Sequence, residues 1–481
     1  MTTPDPRPLL ERLRDALGPA HVLTGEDAAP YARDWTGTRA CRPLAVIRPG
    51  STAEVGEAMR LASEARAPVV AISGNTGLAG GAQGEGALLL STERLSAIRA
   101  IREDERVAVV EAGVVVERLQ EAAEARGLAF PLAFGARGSA RVGGVVATNA
   151  GGANALRHGS VRQMCLGLEV VLADGRVLDL MGSLRKDNSG YDLRDLFVGA
   201  EGTLGIVTAA VLRLVPLPRA RATAMVAAPS IEAALALLHR LQDETAGQVE
   251  AFELMPGAFL DAHRARFPEA RPPFPERHEV NLLVEVAATA ARDAEPGPDG
   301  AVPVVARLET TLGEMAEGGL VLDAALARSE AQRREMWARR EAAAELIFGA
   351  GLPLADHDVA VPLASVGRFL AEADARLAAL EPEARSVSVA HLGDGNVHYT
   401  VLMPRADPAL KARVTEAVEE VVAALGGSFS AEHGVGTHKL ASMARRKDPV
   451  ALDAMRAIKA ALDPLGLLNP GKVLPPEAPS G

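Results

Sequence analysis

Between Gly135 and Gly205 glycine is dense and apolar periodicity is poor, yet the tract is not polar enough to be disordered. Glycine in this quantity marks places where backbone must approach something closely. An ordered, loop-rich ligand-binding surface is therefore expected, in a chain that has 46 glycines among 481 residues and only 3% aromatics.

The rest of the composition narrows the class. Hydrophobic residues at 48% and charged residues at 23% exclude global disorder. Lys+Arg at 51 against Asp+Glu at 62 give a net charge of −11, and without a long basic stretch nucleic acid is not an expected partner. Cys41 and Cys165 form neither metal-binding nor redox spacing, and a Cys-rich iron–sulfur module is absent. The start, Met1 to Pro8, lacks the layout of a secretory signal. No apolar run approaches the roughly 18 residues of a transmembrane helix. A cytoplasmic protein of roughly three units, or one large domain with an insertion, is expected.

Residues 9–18 read as a short amphipathic helix stopped by glycine. Leu44–Ile47, a helix capped by Thr52, and Pro68–Ile72 form a β–α–β unit that favours parallel pairing. Strands at 87–90 and 107–111 and a helix at 114–125 follow. After Pro216-Leu217-Pro218 the character changes: a helix at 231–241, strands at 249–254 and 281–286, an acidic turn-rich loop at 293–300, then alternating helices and strands over 305–427. The expected fold is α+β. One domain spans 1–220 with a C-terminal return at 455–481. A second, α/β domain spans 221–454 and carries an antiparallel sheet flanked by helices.

Strand 68–72 runs into Ser73-Gly74-Asn75-Thr76-Gly77-Leu78-Ala79-Gly80-Gly81, whose N–H groups can form a nest for phosphate oxygens. No long helix follows, so this is not the dinucleotide fingerprint. Further on come Gly138-Ser139, Gly143-Gly144, Ala147-Thr148-Asn149-Ala150-Gly151-Gly152, Arg157-His158-Gly159 and Leu196 to Val207.

A second chemistry is written into Val387 to Val401. Asp394-Gly395 is a favoured two-residue turn, which sets His391 opposite His398 with Cβ atoms about 5 Å apart. Ser430-Ala431-Glu432-His433-Gly434-Val435-Gly436 offers a carboxylate. Two histidines and a carboxylate suit Zn²⁺, Mn²⁺ or Fe²⁺. On the residues alone, a solvated histidine pair is as good a reading as a metal site. A metal-dependent hydrolase with structural glycine loops also stays open.

In this order, these segments resemble the flavin-binding domain of the vanillyl-alcohol oxidase / p-cresol methylhydroxylase family, in its FAD-linked 2-hydroxy-acid dehydrogenase branch. That branch includes D-lactate, D-2-hydroxyglutarate and glycolate-oxidising enzymes, and the similarity runs from about residue 43 to 474. The resemblance implies a two-part FAD-binding domain of the vanillyl-alcohol oxidase type plus a cap domain, and oxidation of a D-2-hydroxy acid by hydride transfer to flavin.

Carried over position by position, Ser73, Gly74, Asn75, Thr76, Gly77, Leu78, Gly80 and Gly81 cradle the FAD pyrophosphate. Gly138, Ser139, Gly143, Gly144, Thr148, Asn149, Gly151 and Gly152 line the flavin and its phosphates. Glu201, Gly205 and Ile206 meet the adenosine or ribityl portion, and Asn469 joins the cofactor-binding set. Thr76 stands where some relatives attach flavin to a histidine, so non-covalent FAD is implied. His391, His398 and Glu432 bind the metal, with Zn²⁺ expected, and His433 is the general base. In Trp337-Ala338-Arg339-Arg340-Glu341, Arg340 is the match for the arginine that pairs the substrate carboxylate, although Arg339 is equally available.

Departures are equally specific. Ala344 replaces a hydroxyl residue, Asp356 a lysine, and Thr400 an asparagine of the hydroxyglutarate enzymes, favouring a monocarboxylic acid. Lys186 to Leu193, by contrast, is closest to hydroxyglutarate-like members. Which 2-hydroxy acid is oxidised stays open. Electrons must leave by an external acceptor: a carrier protein, a quinone, a partner subunit or oxygen. A homodimer is one expected assembly, and a catalytically silent FAD-binding subunit is an alternative. His158 is expected to pack near flavin, and His21, His239, His263 and His278 at the surface.

Overall fold

The computed structural model describes residues 6–35, 37 and 39–476. They fall into two compact units, the first made of residues to Gly151, Ser160–Pro216 and from Glu432 onward, the second of Gly152–Gly159 and Leu217–Ala431.

Among the described residues of the first unit, strands β1 (Val22–Leu23), β2 (Ala45–Ile47), β3 (Val69–Ile72) and β4 (Leu88–Ser91) form one sheet in the order β1-β2-β4-β3. The β2–β4 and β3–β4 pairs are parallel, as a β–α–β unit requires, with β4 inserted between the two expected neighbours. Ser51 rather than Thr52 caps the intervening helix Thr52–Glu64, its side chain accepting the Glu54 N–H at 3.2 Å. A second, antiparallel sheet contains β5 (Ile98–Arg102), β6 (Val107–Glu111), β8 (Cys165–Val171), β9 (Val177–Leu180) and β10 (Ile206–Arg213), in the order β5-β6-β10-β8-β9. The short strands β7 (Leu128–Ala129) and β11 (Val215–Pro216) pair with each other.

The chain end completes the first sheet. Val69 donates its N–H to Leu467 O at 2.8 Å and accepts the Asn469 N–H at 2.8 Å, beside β3. The return begins earlier than the expected residue 455, because Thr437 and His438 donate their N–H groups to Ala79 O and Val473 donates to Gly436 O. Residues 432–454 thus belong to the first unit, and 152–159 to the second.

In the second unit, β12 (Ala220–Ala228), β13 (Val249–Pro256), β14 (Val280–Ala288), β15 (Asp323–Leu326), β16 (Leu354–Ala360), β17 (Arg385–His391) and β18 (Asn396–Leu402) build an antiparallel sheet in the order β15-β12-β14-β13-β17-β18-β16. Alternation divides its residues between two faces. Val226, Leu254, Val284, Val397 and Tyr399 pack with helices Ile231–Glu244, Pro303–Glu317, Val366–Leu380 and Pro408–Ala424 in one apolar core. The opposite face buries Met225, Met255, Leu283 and Val389 with helices Gly257–Arg266, Glu330–Glu341 and Ala343–Phe348. It also carries Thr223, Glu285, Glu253, His391, His398, Asp358, Thr400 and Asp356, since directly paired residues share a face. His263 is buried, against the surface expectation, and burial, with the charge of Arg339, lowers its pKa. Among the described residues no helix is long and apolar enough to cross a membrane.

Candidate functional site

In the first unit, Ser73–Gly81 adopts no regular element. Among the described residues, no backbone N–H from Gly74 to Gly81 reaches an acceptor in the chain. A run of donors without partners fits anionic oxygens, and this cradle is the observation that matches a dinucleotide's pyrophosphate. The loop is held from outside: a Cβ at Gly74 would stand 2.5 Å from Ser139 O.

The glycine tract divides by what each member touches. Gly143 donates its N–H to Ala112 O at 2.7 Å. Thr148 Oγ1 donates to Gly144 O at 3.0 Å, and Asn149 Oδ1 accepts from Ser160 Oγ and the Arg162 N–H. Gly151 lies against Glu432, where a Cβ would stand 2.9 Å from Oε1. Gly205 packs on Val170 and Phe197, and Ile206 is core. Both have packing reasons of their own. Asn469 Nδ2 donates to Gly81 O at 3.1 Å and Glu201 O at 2.6 Å, tying the tail to two motifs.

Glu201 receives the N–H groups of Val435 and Gly436 on separate oxygens, at 2.7 and 2.8 Å. Burial raises its pKa, against the pull of those two donors and of Lys439 and Lys472. The turn that follows Glu432 and His433 is thereby clamped. Gly436 has φ +50°, and a Cβ there would stand 2.0 Å from Ala79 O, so only glycine fits.

In the second unit the histidine hairpin differs from expectation by two residues. His391 pairs Asn396 and Val389 pairs His398, with Leu392–Gly395 forming a wider turn. Asp394 sets that turn, donating its N–H to His391 O and accepting the Asn396 N–H. A two-residue shift keeps every side chain on its face. The imidazoles therefore still meet, diagonally, with ring centroids 5.3 Å apart.

Two carboxylates unforeseen in the sequence complete the cluster. Glu253, 1% exposed, accepts from His391 Nδ1 through Oε1 and from Arg340 Nε through Oε2, both at 2.8 Å. Burial pushes its carboxyl up, but His391 and Arg340 outweigh burial and the net shift is downward. Asp358, also 1% exposed, lies 3.9 Å from His398 Nδ1 and accepts the Asn396 Nδ2 donor at 3.0 Å. The Ala431 N–H donates to Asp358 O, one peptide bond before Glu432.

Arg340 and Arg339 are not equivalent. Arg339 donates to Arg271 O and pairs Glu335 at 3.6 Å, away from Glu253. Helix Glu330–Glu341 is anchored separately: Arg333 makes a two-pronged contact with Glu285 at 2.7 and 2.8 Å, and Trp337 Nε1 adds a third at 2.9 Å. Thr400 Oγ1 donates to Asp356 Oδ1 at 2.7 Å. His158, with Arg157, binds Glu250 in the second unit.

The N–H cradle fits the phosphates of a dinucleotide, and the matching family models give the class, an FAD-dependent oxidoreductase. Residues 43–181 match the FAD binding domain, and 217–473 match the C-terminal domain of FAD linked oxidases. The chain belongs to the FAD-linked oxidases. It is 37% identical over 477 residues to D-2-hydroxyglutarate dehydrogenase of Xanthomonas citri pv. viticola, covering 98% of this chain and 97% of that one. It is 36% identical to the mitochondrial D-2-hydroxyglutarate dehydrogenase of Bos taurus, covering 96% and 82%. Among solved structures, p-cresol methylhydroxylase with substrate bound matches with TM-score 0.72 at 18% identity over 97% and 96% of the two chains. Alkyldihydroxyacetonephosphate synthase matches with TM-score 0.72 at 14% identity over 96% and 84%. Both share the fold. Family membership sets aside the hydrolase reading.

Proposed function

We propose that this chain is an FAD-dependent dehydrogenase that oxidises a D-2-hydroxy acid to its 2-oxo acid, assisted by a divalent metal and a histidine base. The observation that carries the reading is the polar face of the second unit's sheet. A guanidinium and an imidazole share the buried Glu253 there, and a second imidazole stands 5.3 Å from the first, ring to ring. The names of the curated relatives supply the substrate class.

In this reading residues 74–81 hold the FAD pyrophosphate, and Thr76 forms no bond to the flavin. Bound FAD supplies the hydride acceptor. His391, His398 and Glu432 hold the ion, Asp358 is a further oxygen donor, and Zn²⁺ suits this nitrogen–oxygen set, with Mn²⁺ or Fe²⁺ as alternatives. The ion supplies Lewis acidity that lowers the pKa of the substrate hydroxyl. His433 takes the hydroxyl proton on its imidazole. Arg340 presents its Nη ends to the substrate carboxylate while Glu253 holds its Nε. Electrons then leave to an external acceptor, such as a carrier protein, quinone or partner subunit.

The test is anaerobic bleaching of the flavin spectrum against a panel of D- and L-2-hydroxy acids, with and without chelator. Chelator-sensitive bleaching by a D-acid is expected. A yellow protein that no acid reduces would favour a silent subunit, and bleaching indifferent to chelator would remove the metal.

A further inference from the structure

We propose that Glu253 is a positioning residue that couples the carboxylate-holding arginine to the metal-holding histidine, an inference that rests on the function proposed above. Glu253 lies on β13, inside the seven-stranded sheet and 1% exposed. A carboxylate buried this deeply is costly unless both oxygens are satisfied. Here each oxygen serves a different partner, Arg340 from 87 residues away and His391 from 138 residues away.

The chemistry of the acceptor dictates what each partner presents. A carboxylate only accepts, so the contact requires the proton on Nδ1 of His391, and in the proposed reading the metal falls to Nε2. In the same way the Nε of Arg340 is committed, which restrains the guanidinium plane against Glu253. Neither side chain can rotate without breaking a charge-assisted bond to the carboxylate that orients the other.

The helix bearing Arg340 does not need Glu253 to stay on the sheet. Glu285, on the neighbouring strand β14, already holds it through Arg333 and Trp337. Glu253 is therefore surplus to docking, and its geometry accounts for the orientation of two side chains. Disturbing one carboxylate should loosen both ends of the site together.

The experiment uses the FAD-loaded full chain and the variants Glu253→Gln and Glu253→Asp. Glutamine keeps the volume but turns an N–H₂ toward one of the two donors, and aspartate keeps the charge but falls one methylene short. Zinc affinity is read by competition with a chelator in the absence of substrate. KM and kcat are read with D-lactate and D-2-hydroxyglutarate. Both variants are expected to lose zinc affinity by about 10- to 100-fold and to raise KM, with folding retained. Zinc affinity unchanged within about twofold, or a change at one end only, overturns the coupling. Failure of both variants to fold would make Glu253 a stability residue and also overturn it. A wild-type protein that binds no zinc and is reduced by no hydroxy acid brings down the functional reading itself, a result visible before any variant is made.

Discussion

The carboxylate of Glu201 accepts the Val435 N–H at 2.7 Å across 234 residues of chain. With Gly436 on its second oxygen, it holds the turn that follows His433. Glu201→Ala should leave two part-buried donors without acceptors and lower stability by about 1–3 kcal/mol in all. Glu201→Gln, which keeps one acceptor, should lose less. The urea midpoint checks this, and an unchanged midpoint in the alanine variant would remove the clamp.

Lys472 gives the pH dependence. Burial, opposed by Cys41 and Glu201, lowers its ammonium from 10.5 to about 8. Between those values the unfolded chain holds a proton that the folded protein lacks, so stability rises with pH across that window, and below it the burial penalty is complete. Lys472→Met should be more stable than wild type at about pH 7, and the gap should close toward pH 10. Parallel curves for the two FAD-free proteins would refute the assignment.

Thr76 offers neither an imidazole nor a thiol to a flavin ring. Acid precipitation should therefore release the whole flavin into the supernatant. Colour that stays with the pellet means a covalent link elsewhere.

His433→Ala should leave the protein yellow and slow flavin reduction by substrate by about 100-fold or more, the usual share of a general base. Reduction at the wild-type rate would sink the assignment. A variant that binds no flavin would move His433 to a structural role.

Asp356 presents a carboxylate on the polar face, two residues from Asp358, bonded by the Thr400 hydroxyl. A second substrate carboxylate near it would be repelled. D-2-hydroxy acids with uncharged side chains should be preferred over D-2-hydroxyglutarate, and Asp356→Asn should narrow that preference by about five- to tenfold. A wild-type preference for the dicarboxylate, unaffected by the substitution, contradicts the prediction.

The parts of the site legible in the sequence are those whose residues lie close together in it. The 73–81 loop, the 138–152 tract and Glu432–Gly436 each announce themselves locally. The histidine pair survives a wrong register because side chains alternate with period two. Glu253 and Asp358 are hidden for the opposite reason: their partners lie far off along the chain, and only the strand order β13-β17-β18-β16 assembles them. Each left a faint signal, an acid followed directly by apolar residues of a strand, as in Glu253-Leu254-Met255 and Asp358-Val359-Ala360. Such acids are seldom buried without a partner. The boundary at 432 is hidden too, because it depends on Thr437, His438 and Val473 bonding to residues chosen by the fold.

The bonds from Val69 to Leu467 and Asn469 have a consequence for biosynthesis. The first sheet is built from strands within residues 22–91, yet one edge is closed by residues 467–469, which are translated only after them. Leu217–Ala431 is complete before then. During translation the apolar side chains around β3 must wait, with Leu468 the late piece of their core, while the second unit has all but its 152–159 segment in one stretch. An unfinished chain therefore exposes the nucleotide-cradle unit, and that unit should depend more heavily on chaperones.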